Sequence, residues 1–152
     1  MNKKISVLMT VYNAEKYVAN SVQSILLQKY KNFELIIIDD LSTDRSVNIL
    51  KKIKDKRIKF YSLKKKLGRT KALNFALSKS NSNIIAIQDA DDVSHKDRFA
   101  QCMDILTKNK NIGLVATDFR IIDKNGNILS QSEKYLKINK IKRLKFINTI
   151  AH

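Results

Sequence analysis

The chain has 152 residues, enough for a domain with a genuine hydrophobic core, and 43% of them are hydrophobic, the ordinary level for a soluble globular protein. No apolar run approaches the roughly 18–20 residues of a membrane helix. Met1-Asn2-Lys3-Lys4 leads straight into a strand pattern without a signal-peptide core, and the single Cys102 excludes an internal disulfide, so a cytoplasmic chain is expected. The formal charge of +16 suits a lysine-rich solvated surface, an anionic lipid face or nucleic-acid phosphate, and by itself separates none of these.

Two apolar periods alternate along the chain. Ile5 to Val11 reads as a buried strand, and Val18, Val22, Ile25 and Leu26 follow at helical spacing, predicting a helix over about 15–28. Phe33 to Ile38 is a second strand that ends in Asp39-Asp40. Asp44 has the character of a helix N-cap, with Val47, Leu50 and Ile53 on the inner face of that helix. Ile58 to Leu63 is a third strand. Gly68 opens a short loop before the stripe Ala72, Leu73, Ala76, Leu77.

A fourth strand, Asn83 to Gln88, runs into Asp89-Ala90-Asp91-Asp92. Phe99, Met103 and Leu106 mark a fourth helix, and Ile112 to Ile122 predicts a long strand. Lys124-Asn125-Gly126-Asn127 is a hairpin turn signal. Ile138, Ile141 and Leu144 suggest a final helix rich in lysine. Residues 1–130 are therefore expected to form the main domain and 131–152 a basic helical tail.

Strands alternating with helices predict βαβ units around a mainly parallel sheet. Ligands of such sheets bind beyond the carboxyl ends of the strands. The residues at those ends are Thr10-Val11-Tyr12-Asn13, Asp39-Asp40 and Asp89-Ala90-Asp91-Asp92, two of them acidic clusters in a basic chain. No glycine-rich loop follows any strand, which excludes the dinucleotide fingerprint and the P-loop.

In an extended Asp89-Ala90-Asp91 segment, a period of two points both carboxylates the same way and Ala90 the other. Hard oxygen ligands of this kind suit Mg²⁺ or Mn²⁺ completed by substrate phosphates. Alone, such a pair is more often a solvated turn or a helix cap, the reading that also fits Asp92 and Asp97.

Four segments in order change that balance: Ser6 to Asn13, Ile38 to Asp44, Leu67 to Asn74, and Asp89 to Asp92 followed by Asp97-Arg98-Phe99. Together they resemble glycosyltransferase family 2, over roughly Lys4 to Asp123. The resemblance implies a GT-A fold, a Rossmann-like α/β/α sandwich with a mainly parallel sheet, here covering its sugar-nucleotide half. It further implies that Tyr12 stacks on a nucleobase, that Thr10 and Val11 line the same pocket, and that Asp40 accepts a hydrogen bond from the base, favouring uracil. Asp39 would be a buried structural partner, although the two acids could be exchanged by one position.

By the same resemblance Arg69, with Lys71, meets the diphosphate, although both could equally belong to an exposed basic loop beside Lys64-Lys65-Lys66. Asp89 contacts the ribose or a metal-bound water, and Asp91 binds Mn²⁺ or Mg²⁺. The implied reaction is an inverting transfer from a UDP-sugar to a saccharide or lipid-linked acceptor, assisted by a general base in a later segment. No acid among Asp104, Asp118, Asp123 and Glu133 sits in a matching motif for that base. The base is therefore expected beyond His152, and the chain is expected to bind donor without efficient transfer. Contact with the inner face of an anionic membrane is compatible with the charge, while a nucleic-acid partner is not expected. The competing reading is a basic module that binds nucleic acid or anionic membrane, with the acids serving only as caps. Scattered bases and few interleaved aromatic residues speak against it.

Overall fold

The computed structural model describes residues 3–123 and 126–131. The chain divides into two units: from the N-terminus to Gln23 with Lys31–Asp91, and Ser24–Tyr30 with the described residues from Asp92 onward. The first unit carries a four-stranded, all-parallel sheet. Its strands are β1 (Ile5–Val11), β2 (Phe33–Asp39), β3 (Ile58–Ser62) and β4 (Ile85–Asp89), in the order β3-β2-β1-β4. β1 and β2 are buried along nearly their whole length, which explains their continuous rather than alternating apolar runs.

The helices supply the covering faces. α1 (Val18–Leu26) is amphipathic, α2 (Ser46–Lys52) follows β2, and α3 (Arg69–Ser78) follows β3. Ala72 and Ala76 of α3 are fully buried against Leu8, Ile36 and Ile38, with Tyr61, Leu63, Leu73 and Phe75 closing the cluster. Tyr61 and Phe75 meet edge to face at 6.0 Å between ring centroids. The small alanines let this helix lie close on the sheet, so the loop at its N-terminus is held near the strand ends.

In the second unit Gln28 is buried and fully used. Its Nε2 donates to the carbonyls of Ser24 (3.1 Å) and His95 (2.8 Å), and its Oε1 accepts the Phe99 N–H at 3.0 Å. α4 (Arg98–Lys108) buries Phe99 and Met103. β5 (Arg120–Ile122) and β6 (Ile128–Gln131) form an antiparallel pair, and Gly126 adopts φ +87° at the expected turn. Cys102 is a free cysteine, and burial pushes its thiol up to about 11, so it is no thiolate nucleophile at neutral pH.

Several boundaries differ from the sequence reading. The helix expected over 15–28 is confined to Val18–Leu26: residues 15–17 form a lead-in turn, and at the other end the Gln28 N–H closes on the Ile25 carbonyl three residues back instead of continuing the four-residue pattern. Asp44 stands one residue before the N-cap position, which Arg45 occupies. Asp44 nevertheless accepts the Ser46 N–H at 2.9 Å, so its carboxylate satisfies a helix-end donor from outside. The long strand expected over Ile112–Ile122 is wrong. Only Arg120–Ile122 is strand, and Leu114 in the preceding stretch is 82% exposed. An apolar sequence makes a strand only where a neighbouring strand accepts its hydrogen bonds, and among the described residues no strand pairs with 112–117. The basic tail helix lies outside the described residues. No helix among the described residues is long and apolar enough to cross a membrane.

Candidate functional site

The strand order runs outward from β1 to β2 and β3, then returns to place β4 on the other side of β1. Connections leaving β1 and β4 therefore diverge, and a crevice opens between their carboxyl ends. Thr10 of β1 is in register with Asp89 of β4, so the aromatic and acidic strand ends become neighbours. The pocket there has a volume of about 470 Å³ and is lined by Thr10 to Ala14, Asp40, Lys66, Gly68, Arg69 and Asp89 to Asp91. This size suits a small-molecule ligand.

The loops that shape it are stitched together. Asn13 donates its N–H to Ser42 Oγ (3.0 Å) and accepts the Thr43 N–H on Oδ1 (2.8 Å). The Ala14 N–H donates to the buried Ser46 Oγ at 2.9 Å, and the Glu15 N–H donates to Asp44 at 2.9 Å. Asn13 (φ 50°) and Leu41 (φ 65°) take left-handed backbone conformations directly after Tyr12 and Asp40. Asn tolerates that region, whereas a leucine there is strained and is held by its surroundings.

Asp39 and Asp40 separate cleanly. Asp39 is buried and accepts the Ser62 hydroxyl (2.9 Å) and the Ser42 N–H (3.2 Å), which makes it part of the sheet. Asp40 is also buried but reaches the pocket. Its two carboxylate oxygens accept the N–H groups of Leu67 (2.6 Å) and Gly68 (2.8 Å). Gly68 has φ +82°, a conformation that puts its N–H on Asp40 and starts α3 in the next residue.

Ala90 is buried, while the Asp89 side chain is 45% exposed and Asp91 is exposed; β4 ends at Asp89, so a turn through Ala90 and Asp91, not the extended segment expected, sets these positions. Asp89 is not free: Arg69 donates to its Oδ1 at 2.7 Å, and this bond, with Asp91 nearby, raises the guanidinium further above its usual value. Two side chains hold the backbone of Asp89, whose carbonyl accepts from Ser21 Oγ (2.9 Å) and Gln88 Nε2 (3.2 Å).

The structure thus gathers Thr10, Val11, Tyr12, Asp40, Arg69, Asp89 and Asp91 around one pocket. Lys71 is not among its lining residues and is exposed on α3. Lys66 is an addition. Its ammonium stands 3.4 Å from the centre of the Tyr12 ring, and only its position two residues before Gly68 distinguished it from Lys64 and Lys65 in sequence. Among the described residues no group of three or more His, Cys, Asp or Glu could hold a metal by itself. The pair Asp89 and Asp91 instead matches a hard cation that keeps most of its shell for substrate oxygens.

The family model described as glycosyl transferase family 2 matches residues 6–152. The chain belongs to that family. Within it, an O-antigen biosynthesis glycosyltransferase of Escherichia coli, WbnJ, is 39% identical over 156 aligned positions, covering 97% of this chain and 59% of the relative. An uncharacterized glycosyltransferase of Methanocaldococcus jannaschii, MJ1057, is 37% identical over 148 positions, covering 93% of this chain and 51% of the relative. The chain therefore spans between one half and three fifths of these relatives. Residues 1–349 of Staphylococcus aureus TarS, solved with UDP-GlcNAc, superpose with a TM-score of 0.69 at 26% identity, covering 82% of this chain and 36% of that one. A Pyrobaculum calidifontis mannosyltransferase, solved with GDP-Man and Mn²⁺, superposes with a TM-score of 0.64 at 22% identity over 80% of this chain, and 36% of its own. The fold is the GT-A fold of these glycosyltransferases.

Proposed function

We propose that this family 2 chain binds a UDP-sugar and presents it for inverting transfer to a saccharide or lipid-linked acceptor. The observation that carries the reading is the single pocket that joins an exposed aromatic ring, a buried carboxylate and an acidic pair across the strand-order reversal. Tyr12, 46% exposed, offers a stacking face typically worth ~1–3 kcal/mol to a base. Asp40 spends one lone pair of each oxygen on the loop, and a carboxylate oxygen has two, so it can still accept an imide N–H of uracil. Thr10 and Val11 line the wall beside them. TarS, solved with UDP and with UDP-GlcNAc, supports uracil as the base.

Asp91, with Asp89, would hold Mn²⁺ or Mg²⁺. When bound, such an ion neutralises the diphosphate and stabilises the charge of the departing nucleoside diphosphate. Arg69 stands next to this pair, placed to exchange Asp89 for a phosphate, where a guanidinium binds two oxygens at once. Lys71, two residues into α3 and outside the pocket lining, would be a further diphosphate contact only for a ligand that extends past Arg69. The reading places the chain in the cytoplasm, where Cys102 stays reduced, with its lysine-rich surface available to the inner face of an anionic membrane.

A thermal-shift panel of UDP, GDP, ADP and CMP, each with and without Mn²⁺, tests the reading. UDP with Mn²⁺ is expected to stabilise most, by about 2.7 kcal/mol at 100 times its Kd. Equal shifts with every nucleotide would remove the uracil assignment, and no shift with any would remove the function.

Asp91→Asn is expected to abolish the Mn²⁺-dependent part of that shift while leaving the unliganded melting temperature within about 2 °C, since an exposed acid contributes little to the core. Retained Mn²⁺ dependence would transfer the ligand role to Asp89 or Asp92, and an unfolded variant would make Asp91 structural.

A further inference from the structure

Both cations of the pocket are already engaged, and with the groups that a sugar nucleotide would use. Arg69 is on Asp89 at 2.7 Å, and the Lys66 ammonium is 3.4 Å from the Tyr12 ring centroid. That distance is the layer a stacked base would occupy, and one ring face cannot hold an ammonium and a base together. The backbone on the C-terminal side of Lys66 is anchored, because the N–H groups of Leu67 and Gly68 both donate to the buried Asp40. What can move is the Lys66 side chain itself, which is exposed and carries a flexible four-carbon stem.

We propose that Lys66 is a specificity-determining residue that occupies the base-stacking face of Tyr12 in the free protein and moves to the diphosphate when a nucleotide binds. The proposal rests on the base-and-phosphate reading of this pocket. An ammonium on an exposed ring is held more weakly than a stacked base, so the base wins the face. The displaced ammonium then needs a new partner. A bare nucleoside offers none, and the cation returns to water without the attraction of the ring. A nucleoside diphosphate supplies anionic oxygens within the same pocket, and a charge-assisted hydrogen bond takes the place of the cation–π interaction. One side chain therefore weakens the binding of nucleosides and strengthens that of nucleoside diphosphates, raising the selectivity for the phosphorylated ligand from both sides.

The test is a pair of titrations, uridine alone and UDP with Mn²⁺, on the unaltered chain and on Lys66→Ala, followed by NMR. Removing the side chain is expected to tighten uridine about threefold, by freeing the ring face, and to weaken UDP about tenfold, by removing a phosphate partner. Lys66→Gln, which keeps the length of the chain but not its charge, should shift UDP in the same direction. Changes of the same sign for both ligands would overturn the proposal, as would an unchanged affinity for either. Uridine binding that is undetectable in both proteins also counts against it, because the ring would then be bare in the variant without attracting a base. Failure of the unaltered chain to bind UDP with Mn²⁺ is a different result: it removes the function proposed above. UDP binding without the opposite shifts removes only the role of Lys66.

Discussion

Asp40→Asn is expected to lower the stability of the chain by about 2–3 kcal/mol, on the order of 10 °C in melting temperature, and to abolish UDP binding in the same variant. The reason is the geometry of its two acceptors. Leu67 donates to Oδ1 at 2.6 Å and Gly68 to Oδ2 at 2.8 Å. A carboxylate serves both, whereas an amide has one acceptor oxygen and turns its NH₂ toward the second donor. One N–H in a largely buried setting then faces another donor, and the loop carrying Lys66, Gly68 and Arg69 loses its anchor. Asp40→Ala removes both acceptors and should be at least as damaging. Urea denaturation measures the first effect and calorimetric titration with UDP and Mn²⁺ the second. Wild-type stability in Asp40→Asn would show that the two bonds do not hold the loop, and normal UDP affinity would remove Asp40 from the site.

The second large effect lies at the opposite end of the sheet. Glu34 of β2 is almost completely buried and accepts four hydrogen bonds: from Ser6 Oγ (2.6 Å), the Asn81 N–H (2.8 Å), Lys59 Nζ (2.8 Å) and Lys4 Nζ (3.2 Å). Burial alone would push its carboxyl up, but Lys59, Ser6, Asn81 and Lys4 together hold it down to about 2. The value in the folded chain thus lies below that of an unfolded glutamate, about 4.3. The charged carboxylate stabilises the fold fully above about pH 5, and this contribution is lost as the pH falls toward 2. Glu34→Gln is expected to cost about 2–3 kcal/mol at pH 7, and the gap between variant and wild type should close as the pH is lowered to about 2–3. Arg57 holds Asp55 down to about 2 as well, but that acid sensitivity is common to both proteins and cancels in the difference. Urea melts at pH 7, 5 and 3 decide it. A gap that stays constant with pH would mean that the charge of Glu34 contributes nothing. UDP affinity at neutral pH should not change, since Glu34 is remote from the pocket lining.

Much of the parallel architecture is written in local pattern. Ile5–Val11 and Phe33–Asp39 are continuous apolar runs because both faces of a parallel strand are covered, and their ends are marked by the first polar residues that must leave the core. The acids after β4 were legible as a cluster, but it is the turn at Ala90 and Asp91, not strand alternation, that buries Ala90 and leaves Asp91 outside. The stretch 112–117 shows where local pattern fails, since its apolar residues were consistent with a strand but pairing is a property of the neighbour.

The sequence by itself determined the family, the βα alternation and the acids that end β2 and β4, because periodicity and spacing are local quantities and four motifs keep their order along the chain. Tertiary structure decided how those acids divide their work. Asp39 and Asp40 are adjacent and chemically identical, and only the third dimension turns one onto Ser62 of β3 and the other onto the Leu67-Gly68 loop. It also decided that Arg69 rests on Asp89 and Lys66 on Tyr12. Those pairs lie 20 and 54 positions apart in sequence, and they meet because the strand order reverses at β1 and brings separate loops to one edge of the sheet.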